Sequence, residues 1–390
     1  MNMDSTFEHV RRAPLAESLA GALVLAVGMG FGRFSFTGMY PIMVKEAVMT
    51  VSAGSLAACA NYVGYLLGAL AMSRVGDRHA ARATRFAMAG TVFCLALLAF
   101  HPSVPMLIAT RFVAGAMSAV SLVAASVWLL HVVGHRHGAP VLYAGVGAGI
   151  AISAEAIVLG QASRLGAPAL WLLLGAVAAA LSALAWPKIV HGAARHADDT
   201  RLINQASSPP RSSIAPWTLV AAYGFAGFGY IVTATYLPLL IKTMLPHVDA
   251  VQVWAAFGLA AVPSCFVWHA WHERVGTRAA LVANLAIQAI GVVLPAFAHR
   301  PWAYLASAVL VGGTFVGTVT IIMPAAKHVA HTVKFNLMAT LTAAYGLGQI
   351  AGPLLSDRLA AHTHSFDQPL VAAGAALVLA ASMCVSRRSS

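Results

Sequence analysis

The sequence predicts an all-α membrane protein of twelve transmembrane helices, arranged as two pseudo-symmetric six-helix bundles. Only 9% of the 390 residues are charged, whereas a soluble domain averages about 25%. The apolar residues form twelve runs of about 20 residues, the length of a helix that crosses a bilayer. Runs of this length are too long for barrel strands, and open strand edges do not occur in hydrocarbon, so helices follow.

Two short sequences indicate that the second six runs repeat the first six. Residues 30–41 (GFGRFSFTGMYP) resemble residues 227–238 (GFGYIVTATYLP), 197 positions later and without a gap. Residues 73–78 (SRVGDR) resemble residues 273–278 (ERVGTR), 200 positions later. A membrane protein with such internal repeats is most often a secondary transporter, whose site lies between the repeats near the middle of the bilayer.

The first half, residues 1–190, contains six of the predicted helices. Their spans follow in chain order: 16–43, 51–73, 83–101, 104–132, 139–163 and 167–187. Short loops join them, so neighbouring helices are predicted to be antiparallel. Helix 5 contains Gly145 and Gly147, small residues that allow close contact between helices in lipid.

A polar linker, residues 191–213, separates the halves, and residues 214–390 form the second one. The predicted spans are 214–243, 250–271, 277–298, 301–326, 332–356 and 368–386. Helix 11 contains Gly346 and Gly348, which match the two glycines of helix 5, and Pro353 is expected to kink it. We expect the halves to rock about helices 1, 2, 5, 7, 8 and 11.

The basic residues indicate topology rather than a nucleic-acid partner. If the N-terminus is cytoplasmic, 17 of the 24 lysines and arginines lie on the cytoplasmic side and 5 on the outer side. The remaining two, Arg33 and Arg111, lie inside helices. This is the positive-inside pattern of a multi-pass protein with both termini in the cytoplasm, here predicted in the bacterial inner membrane. The net charge of +12 therefore needs no polyanion to explain it.

Several motifs resemble the major facilitator superfamily, and within it the YbfB/YjiJ-type branch. The resemblance covers nearly the whole chain and is carried by residues 32–37 (GRFSFT), 60–69 (ANYVGYLLGA), 73–78 and 111–115 (RFVAG). It implies the major facilitator fold and transport by alternating access. In the superfamily's loop motif, Ser73 stands where an aspartate is usual, although Glu273 supplies an acid in the second half. Helix 5 lacks the Gly-Pro pair of drug/proton antiporters.

Three charged residues lie within predicted helices and are functional candidates, because a charge in the bilayer is costly unless paired or hydrated. Arg33 and Glu155 lie about 25 Å and about 24 Å from the cytoplasmic helix ends, and Arg111 lies about 12 Å from the outer end. These depths are similar, so the three residues are expected to form one cluster if they face a central cavity. The alternative is a structural ion pair between Glu155 and one arginine.

We assign Arg33 to substrate binding, because a guanidinium binds carboxylate or phosphate through two donors and stays charged. Glu155 is a candidate for the coupling proton. The superfamily resemblance favours a role in proton coupling or gating for Arg111. The other predicted substrate residues are Tyr230, Tyr62, Tyr236, Asn284, Gln288 and Gln349, for which hydrogen bonds between helices are the alternative reading. Tyr65, Tyr223 and Tyr345 are further aromatic residues that suit the pocket.

The loops after helices 2 and 8 are the predicted cytoplasmic gate, which comprises Arg74, Gly76, Asp77, Arg78, Glu273 and Arg274. Neither a metal site nor a cofactor is predicted. The histidines lack acidic or cysteine companions, and residues 28–32 (GMGFG) lie inside an apolar helix with no strand before them.

Together these features predict a monomeric secondary transporter of a small, anionic organic solute, coupled to protons. Its expected partners are the solute, protons and the lipid bilayer. Two alternatives remain: a proton antiporter that exports drugs or toxic metabolites, and a membrane receptor or sensor that does not transport. The chain contains neither a nucleophile–base pair nor a metal motif, so an enzyme is not expected.

Overall fold

The computed structural model describes residues 15–73, 76–100, 103–195, 214–245, 247–363 and 365–385. Within these residues the chain is helical and contains no strand. The predicted linker lies mostly outside the described residues, except that helix extends through residue 195.

The first half contains six long helices. They are α1 (Leu15–Lys45), α2 (Val51–Met72), α3 (Ala80–Leu98), α4 (Val104–Val127, continued by a π-helical turn Trp128–Val132), α5 (Ala139–Ala162) and α6 (Ala167–Arg195). Short 3-10 turns, Asp77–His79 and Arg136–Gly138, precede α3 and α5. The observed ends lie within three residues of the predicted ones for five of these helices, and α6 extends eight residues further.

The second half begins with α7 (Pro216–Met244), which is followed by a continuous helical run, Ala250–Phe297. This run contains a break at Gly276 (φ 81°, ψ 168°), a conformation that glycine adopts without steric cost. We label its two parts α8 (250–275) and α9 (277–297). The chain continues with α10 (Pro301–Val329), a 3-10 turn (Ala330–Thr332), α11 (Leu337–Thr363) and α12 (Asp367–Val385).

Predicted boundaries are wrong for three helices, one of which is α6, whose end lies eight residues beyond the predicted one. Residues 272–275, predicted as a loop, are helical, because the single residue Gly276 makes the turn between α8 and α9. Helix α11 runs from 337 to 363 rather than from 332 to 356. Its start is delayed because Val333 is extended and the Asn336 side chain accepts a hydrogen bond from the Ala339 amide, as an N-cap residue does.

Ten helices in the described residues are long and apolar enough to cross a membrane. One of them is the 48-residue run Ala250–Phe297, which would be about 72 Å long as a straight helix, more than twice the hydrocarbon thickness. Helix α11 is not among the ten. The chain is therefore a multi-pass helical membrane protein, while the number of twelve spans and the two-bundle arrangement stay predictions.

Glycines bring helix backbones together at matching places in the two halves. A Cβ atom at Gly145 or Gly149 of α5 would clash with the Ala22 or Ala26 carbonyl of α1, and one at Gly348 of α11 would clash with the Gly224 carbonyl of α7. Gly147 of α5 faces Gly258 of α8, where an added Cβ would lie 2.6 Å from the carbonyl oxygen. Close α1–α5 and α7–α11 packing is thus built into both halves.

We name the two ends of the molecule by the helix ends and loops that lie at each of them. The proximal face contains the start of α1, residues 76–79 and Gly276, and the distal face contains residues 46–50, 163–166 and 247–249. At the distal face, Oε2 of Glu46 accepts a hydrogen bond of 2.9 Å from the Ala167 amide at the start of α6. That contact satisfies one of the free amides of a helix N-terminus.

Candidate functional site

Arg33 and Tyr230, which occupy equivalent positions in the repeat, meet in the interior. The Arg33 guanidinium donates a hydrogen bond of 3.3 Å to the Tyr230 hydroxyl, and the two residues are 197 positions apart. One helical turn further, the Thr37 hydroxyl donates to the Ala234 carbonyl at 2.7 Å, again 197 positions apart. Repeat-equivalent residues touch each other where a pseudo-two-fold axis passes, so these contacts indicate an axis between α1 and α7.

Arg33 lies in a stretch of α1 with π-helical hydrogen bonding, Ala26–Phe34. Such stretches are rare and occur frequently at functional sites. The α1 segment is packed closely there, since a Cβ at Gly30 would clash with the backbone of Gly149 on α5. Because Gly30 and Gly149 lack side chains, α1 lies deep enough in the molecule for Arg33 to be only 3% exposed.

Aromatic rings surround the buried Arg33 cation. Its guanidinium carbon lies 4.4 Å from the Tyr65 ring centroid, 4.9 Å from that of Tyr62 and 5.2 Å from that of Phe34. These distances fall within the range of cation–π attraction. The Nε atom of Arg33 is buried without a hydrogen-bond partner. Within the described residues, the ion pairs of the protein do not include Arg33.

A stack of aromatic rings from the second half forms the wall opposite Arg33. The Tyr230 ring stacks between Phe315 of α10 and Tyr345 of α11, with centroid distances of 5.5 and 5.7 Å, and Tyr345 stacks on Tyr223 at 4.2 Å. The Gln349 side chain contacts the Tyr230 hydroxyl at 2.7 Å, and its other polar atom is buried without a partner. Arg33, Tyr230 and Gln349 therefore form a polar group inside an aromatic enclosure.

Arg111 binds the backbone of α1 rather than a side chain. Its two terminal nitrogens donate to the Gly32 and Arg33 carbonyl oxygens at 2.8 and 3.0 Å, and its guanidinium carbon lies 4.4 Å from the Phe36 ring centroid. On α4 the Arg111 carbonyl accepts a hydrogen bond from Asn61 of α2 at 2.9 Å. Arg111 thereby ties α4 to the helical segment that carries Arg33.

Glu155 lies apart from both arginines. It is exposed on α5, and its carboxylate accepts a hydrogen bond of 3.4 Å from the Gln252 side chain at the start of α8. Within the described residues, neither arginine pairs with a carboxylate. The expected cluster of Arg33, Arg111 and Glu155 is therefore not formed, because the last turns of α5 turn the Glu155 side chain towards α8.

Asn284 and Gln288 join α9 to α10. The Asn284 amide donates to the Thr314 carbonyl at 3.0 Å and accepts from the Thr318 hydroxyl at 2.7 Å, while Gln288 donates to the Thr314 hydroxyl at 3.2 Å. All of these side chains are buried. Asn284 and Gln288 therefore form hydrogen bonds between helices, which is the alternative to substrate binding given for them above.

We expect Asn284→Ala to lower the melting temperature without altering any response to ligand. The change removes two buried hydrogen bonds and leaves the Thr318 hydroxyl and the Thr314 carbonyl with fewer partners, at a cost of roughly 1–3 kcal/mol. Thermal unfolding in detergent, with and without ligand, measures both quantities, and Thr318→Val is the milder control. A normal melting temperature combined with a lost ligand response would instead place Asn284 at the substrate.

Tyr62 and Tyr236 make contacts between the two halves. The Tyr62 hydroxyl forms a hydrogen bond of 2.8 Å with the Thr235 hydroxyl, and its ring faces Arg33. The Tyr236 hydroxyl lies 2.9 Å from the Ser55 hydroxyl and 3.3 Å from the Pro353 carbonyl oxygen, nearer the distal face. Tyr62 therefore borders the Arg33 site, whereas Tyr236 belongs to a separate distal group.

The predicted gate residues lie at the proximal face. Asp77 pairs with His131 at 3.8 Å and Glu273 with His269 at 3.4 Å, so each of these acids contacts its own half of the chain. Gly76, Arg78 and Arg274 are exposed there. Arg74 lies outside the described residues. The hydrogen bonds described here between the first and second halves lie at the distal face or in the middle of the molecule.

Comparison with known families supports the transporter interpretation. The family model described as "Uncharacterised MFS-type transporter YbfB" matches residues 25–385. The chain belongs to this family. The match includes α2–α12 and most of α1 of this MFS-type transporter. The search of curated proteins returns no match for it.

The surroundings of Arg33 and Tyr230 include residues that the sequence did not single out. Phe315 stacks on Tyr230, and Phe34 packs edge-on against Phe315 with ring centroids 5.9 Å apart. Phenylalanine in an apolar helix carries no signal that separates a site wall from ordinary core. Tyr65 and Tyr345 were expected near the pocket only as aromatic residues, and the structure places both beside the Arg33–Tyr230 pair.

Proposed function

We propose that this MFS-type transporter moves a small, amphipathic organic anion across the bacterial inner membrane by alternating access, coupled to protons. In this proposal Arg33 binds the anionic group, and the apolar part of the solute contacts the aromatic rings of the second half. The proposal includes twelve spanning helices in two six-helix halves, with the proximal face and both termini in the cytoplasm, and a protein that acts as a monomer.

One observation carries the anion assignment: Arg33 is a buried cation without a carboxylate partner among the described residues. A buried charge is costly unless it is paired, and its stabilisation by aromatic rings and one 3.3 Å hydrogen bond leaves the Nε donor without a partner. A carboxylate or phosphate entering this enclosure would form a charge-assisted, two-donor contact with the guanidinium. Arg111, by contrast, already has two carbonyl partners.

The amphipathic character follows from the walls of the site. Aromatic rings line most of the site: those of Phe34, Phe315, Tyr223, Tyr230 and Tyr345. The polar contacts are concentrated at Arg33, the Tyr230 hydroxyl and Gln349. Ligand sites commonly combine a mostly apolar lining with a few polar groups that fix orientation. An organic acid with an apolar or aromatic body matches this distribution, whereas a sugar would leave many hydroxyls unpaired.

Thermal unfolding of the purified protein in detergent tests the proposal. The panel comprises aromatic and aliphatic carboxylic acids, amino acids, sugars and lipophilic cations. Stabilisation by the acids, rising with concentration as binding to the native state requires, would support an anion site. Stabilisation by lipophilic cations alone would contradict it and favour the second candidate, a proton antiporter that exports drugs or toxic metabolites.

We expect Tyr230→Phe to weaken binding of a stabilising organic acid roughly 5- to 30-fold, which is about 1–2 kcal/mol. The variant keeps the stack with Phe315 and Tyr345 but removes the hydroxyl that orients Arg33 and contacts Gln349. Titration of the thermal shift measures the affinity. Tyr223→Phe, in the same stack, is the matched control. Equal affinities of Tyr230→Phe and the wild type for the acid would show that the Tyr230 hydroxyl does not contribute to binding.

Proton coupling is part of the proposal because uptake of a solute anion against an inside-negative membrane potential requires an accompanying cation. Glu155 remains one candidate for a proton carrier, since it is exposed and contacts the other half through Gln252. The gate role of Gly76, Asp77, Arg78, Glu273 and Arg274 at the proximal face, with Arg74 beside them in the chain, belongs to the same proposal.

A further inference from the structure

A group of hydroxyls at the distal face surrounds the carboxylate of Asp357 on α11. The Ser52 and Ser55 hydroxyls of α2 donate to its two oxygens at 3.4 and 3.5 Å. Ser55 also contacts the Tyr236 hydroxyl of α7 at 2.9 Å, and Tyr236 donates to the Pro353 carbonyl of α11 at 3.3 Å. Asp357 is therefore the charged member of a network that joins the first half to the second near the distal face.

The Ser55 hydroxyl has several possible acceptors for its one proton, and the Tyr236 hydroxyl at 2.9 Å and the Tyr40 hydroxyl at 3.3 Å are two of them. The Ser55 hydroxyl also lies 3.2 Å from the Val51 carbonyl oxygen of its own helix and 3.5 Å from an Asp357 oxygen of the opposite half. A hydroxyl has one proton to donate, and a hydrogen bond to an ionised carboxylate is stronger than one to a neutral acceptor. An ionised Asp357 therefore competes more strongly for the Ser55 proton than a neutral one, and it also accepts from Ser52.

A similar contact between a carboxylate and a polar side chain joins α5 to α8. Gln252 follows Ser52 by 200 positions, which is the offset of the repeated loop motif, and it donates to Glu155 of α5 at 3.4 Å. Asp357 follows Glu155 by 202 positions. Each half therefore places a carboxylate of its fifth helix against the first turn of the second helix of the other half. The two contacts join equivalent pairs of helices, although Asp357 lies one residue beyond Ser356, which is the repeat equivalent of Glu155.

We propose that Asp357 is a proton-binding site that holds the distal face closed while ionised and allows it to open when protonated. This inference rests on the proposed function, in which a proton accompanies the solute, and it assigns a group and a step to that proton. A proton from water at the distal face binds one carboxylate oxygen. The neutral carboxyl is a weaker acceptor for both Ser52 and Ser55, so the link between α2 and α11 weakens.

Other groups near Asp357 do not replace it in this role. The titratable side chains that face it are Tyr40 of α1, Cys59 of α2 and Tyr236 of α7, and Arg358, next in the chain, is exposed. Tyrosine and cysteine ordinarily lose their protons above neutral pH. Within the described residues of this network, Asp357 is therefore the side chain that carries a negative charge.

Distances between spin labels at the distal face test the inference without any solute. Lys45 and Lys242 are exposed, lie at the distal ends of α1 and α7 and are 197 positions apart, so cysteines there accept labels while the four native cysteines are buried. Distances are measured at about pH 8 and about pH 3, which lie on either side of the usual pKa of aspartate side chains in proteins. We expect the long-distance population to rise severalfold at the lower pH.

In the labelled protein, Asp357→Asn is expected to show the long-distance population at both pH values. Asp249→Asn is the matched control, because Asp249 also lies at the distal face but caps α8 within its own half, and asparagine caps equally well. That control is expected to keep the wild-type response. A wild-type protein without pH dependence, or an Asp357→Asn variant that keeps it, would overturn the inference.

A second variant covers the case in which Asp357→Asn does not fold. Ser55→Ala keeps the carboxylate and removes the shared donor, so it is expected to raise the long-distance population at about pH 8; an unchanged population would overturn the inference. This readout is independent of solute binding. Organic acids that fail to stabilise the protein would remove the anion proposal, while a pH-dependent distance lost in Asp357→Asn would still support the proton site.

Discussion

Arg33→Gln is expected to abolish stabilisation by organic acids while leaving the fold intact. The variant removes the cation that faces Tyr62, Tyr65 and Tyr230, and with it the charge-assisted contact that we assign to the solute. Hydrogen bonds to charged groups contribute roughly 1.5–3 kcal/mol each, so loss of a two-donor contact weakens binding by at least about 100-fold. The measurement is the thermal shift titrated with the acid that stabilises the wild type best.

The melting temperature without ligand provides the second half of this test. A buried charge without an ionic partner costs stability, so its replacement by a neutral residue of similar length is expected to leave that temperature unchanged or to raise it. Arg33→Lys keeps the charge but not the planar fork and is expected to bind acids weakly. An acid response in Arg33→Gln equal to that of the wild type would remove Arg33 from the substrate site.

Arg111→Met is expected to destabilise the protein strongly, by roughly 3–5 kcal/mol. The Arg111 guanidinium donates to the buried Gly32 and Arg33 carbonyls, and methionine leaves both without that donor. Those carbonyls lie in and beside the π-helical end of α1, so the loss also loosens the segment that positions Arg33. Expression level and thermal unfolding in detergent measure the effect.

Arg33→Met is the matched control for this second prediction. Both arginines are buried, and both substitutions replace a guanidinium by an apolar chain of similar length. Only Arg111 is bonded to two backbone carbonyls, so we expect a large loss of stability for Arg111→Met and little or none for Arg33→Met. Equal stability of the two variants would show that the carbonyl contacts of Arg111 contribute little, and would return Arg111 to the group of candidates for proton coupling.

The sequence predicted most of the helices. It also predicted that Arg33 and Tyr230 are equivalent in the repeat. Apolar run lengths located most helix ends within a few residues, because a bilayer of fixed thickness constrains helix length. The repeat identified Tyr230 as the counterpart of Arg33, although it did not predict their direct contact. Residues 272–275 were misassigned because one glycine can turn a chain that otherwise favours helix throughout.

Side-chain partners could not be predicted in the same way. Arg111 and Arg33 look alike in sequence, and only the position of α4 beside α1 decides that Arg111 reaches two carbonyls. Depth alone placed Glu155 near the arginines, but depth does not fix the direction in which a helix presents a residue. Asp357 received no assignment because its partners, Ser52 and Ser55, lie about 300 positions away in the chain.

Arg33 and Tyr230 occupy equivalent positions in the two halves and contact each other. This contact constrains how such a chain arises by gene duplication. With two identical halves, a residue on the axis faces a copy of itself. Two arginines at this separation would repel each other by several kcal/mol in a protein interior, and two tyrosines would supply no cation. A single buried positive charge at the centre therefore requires that the duplicated copies differ at this position.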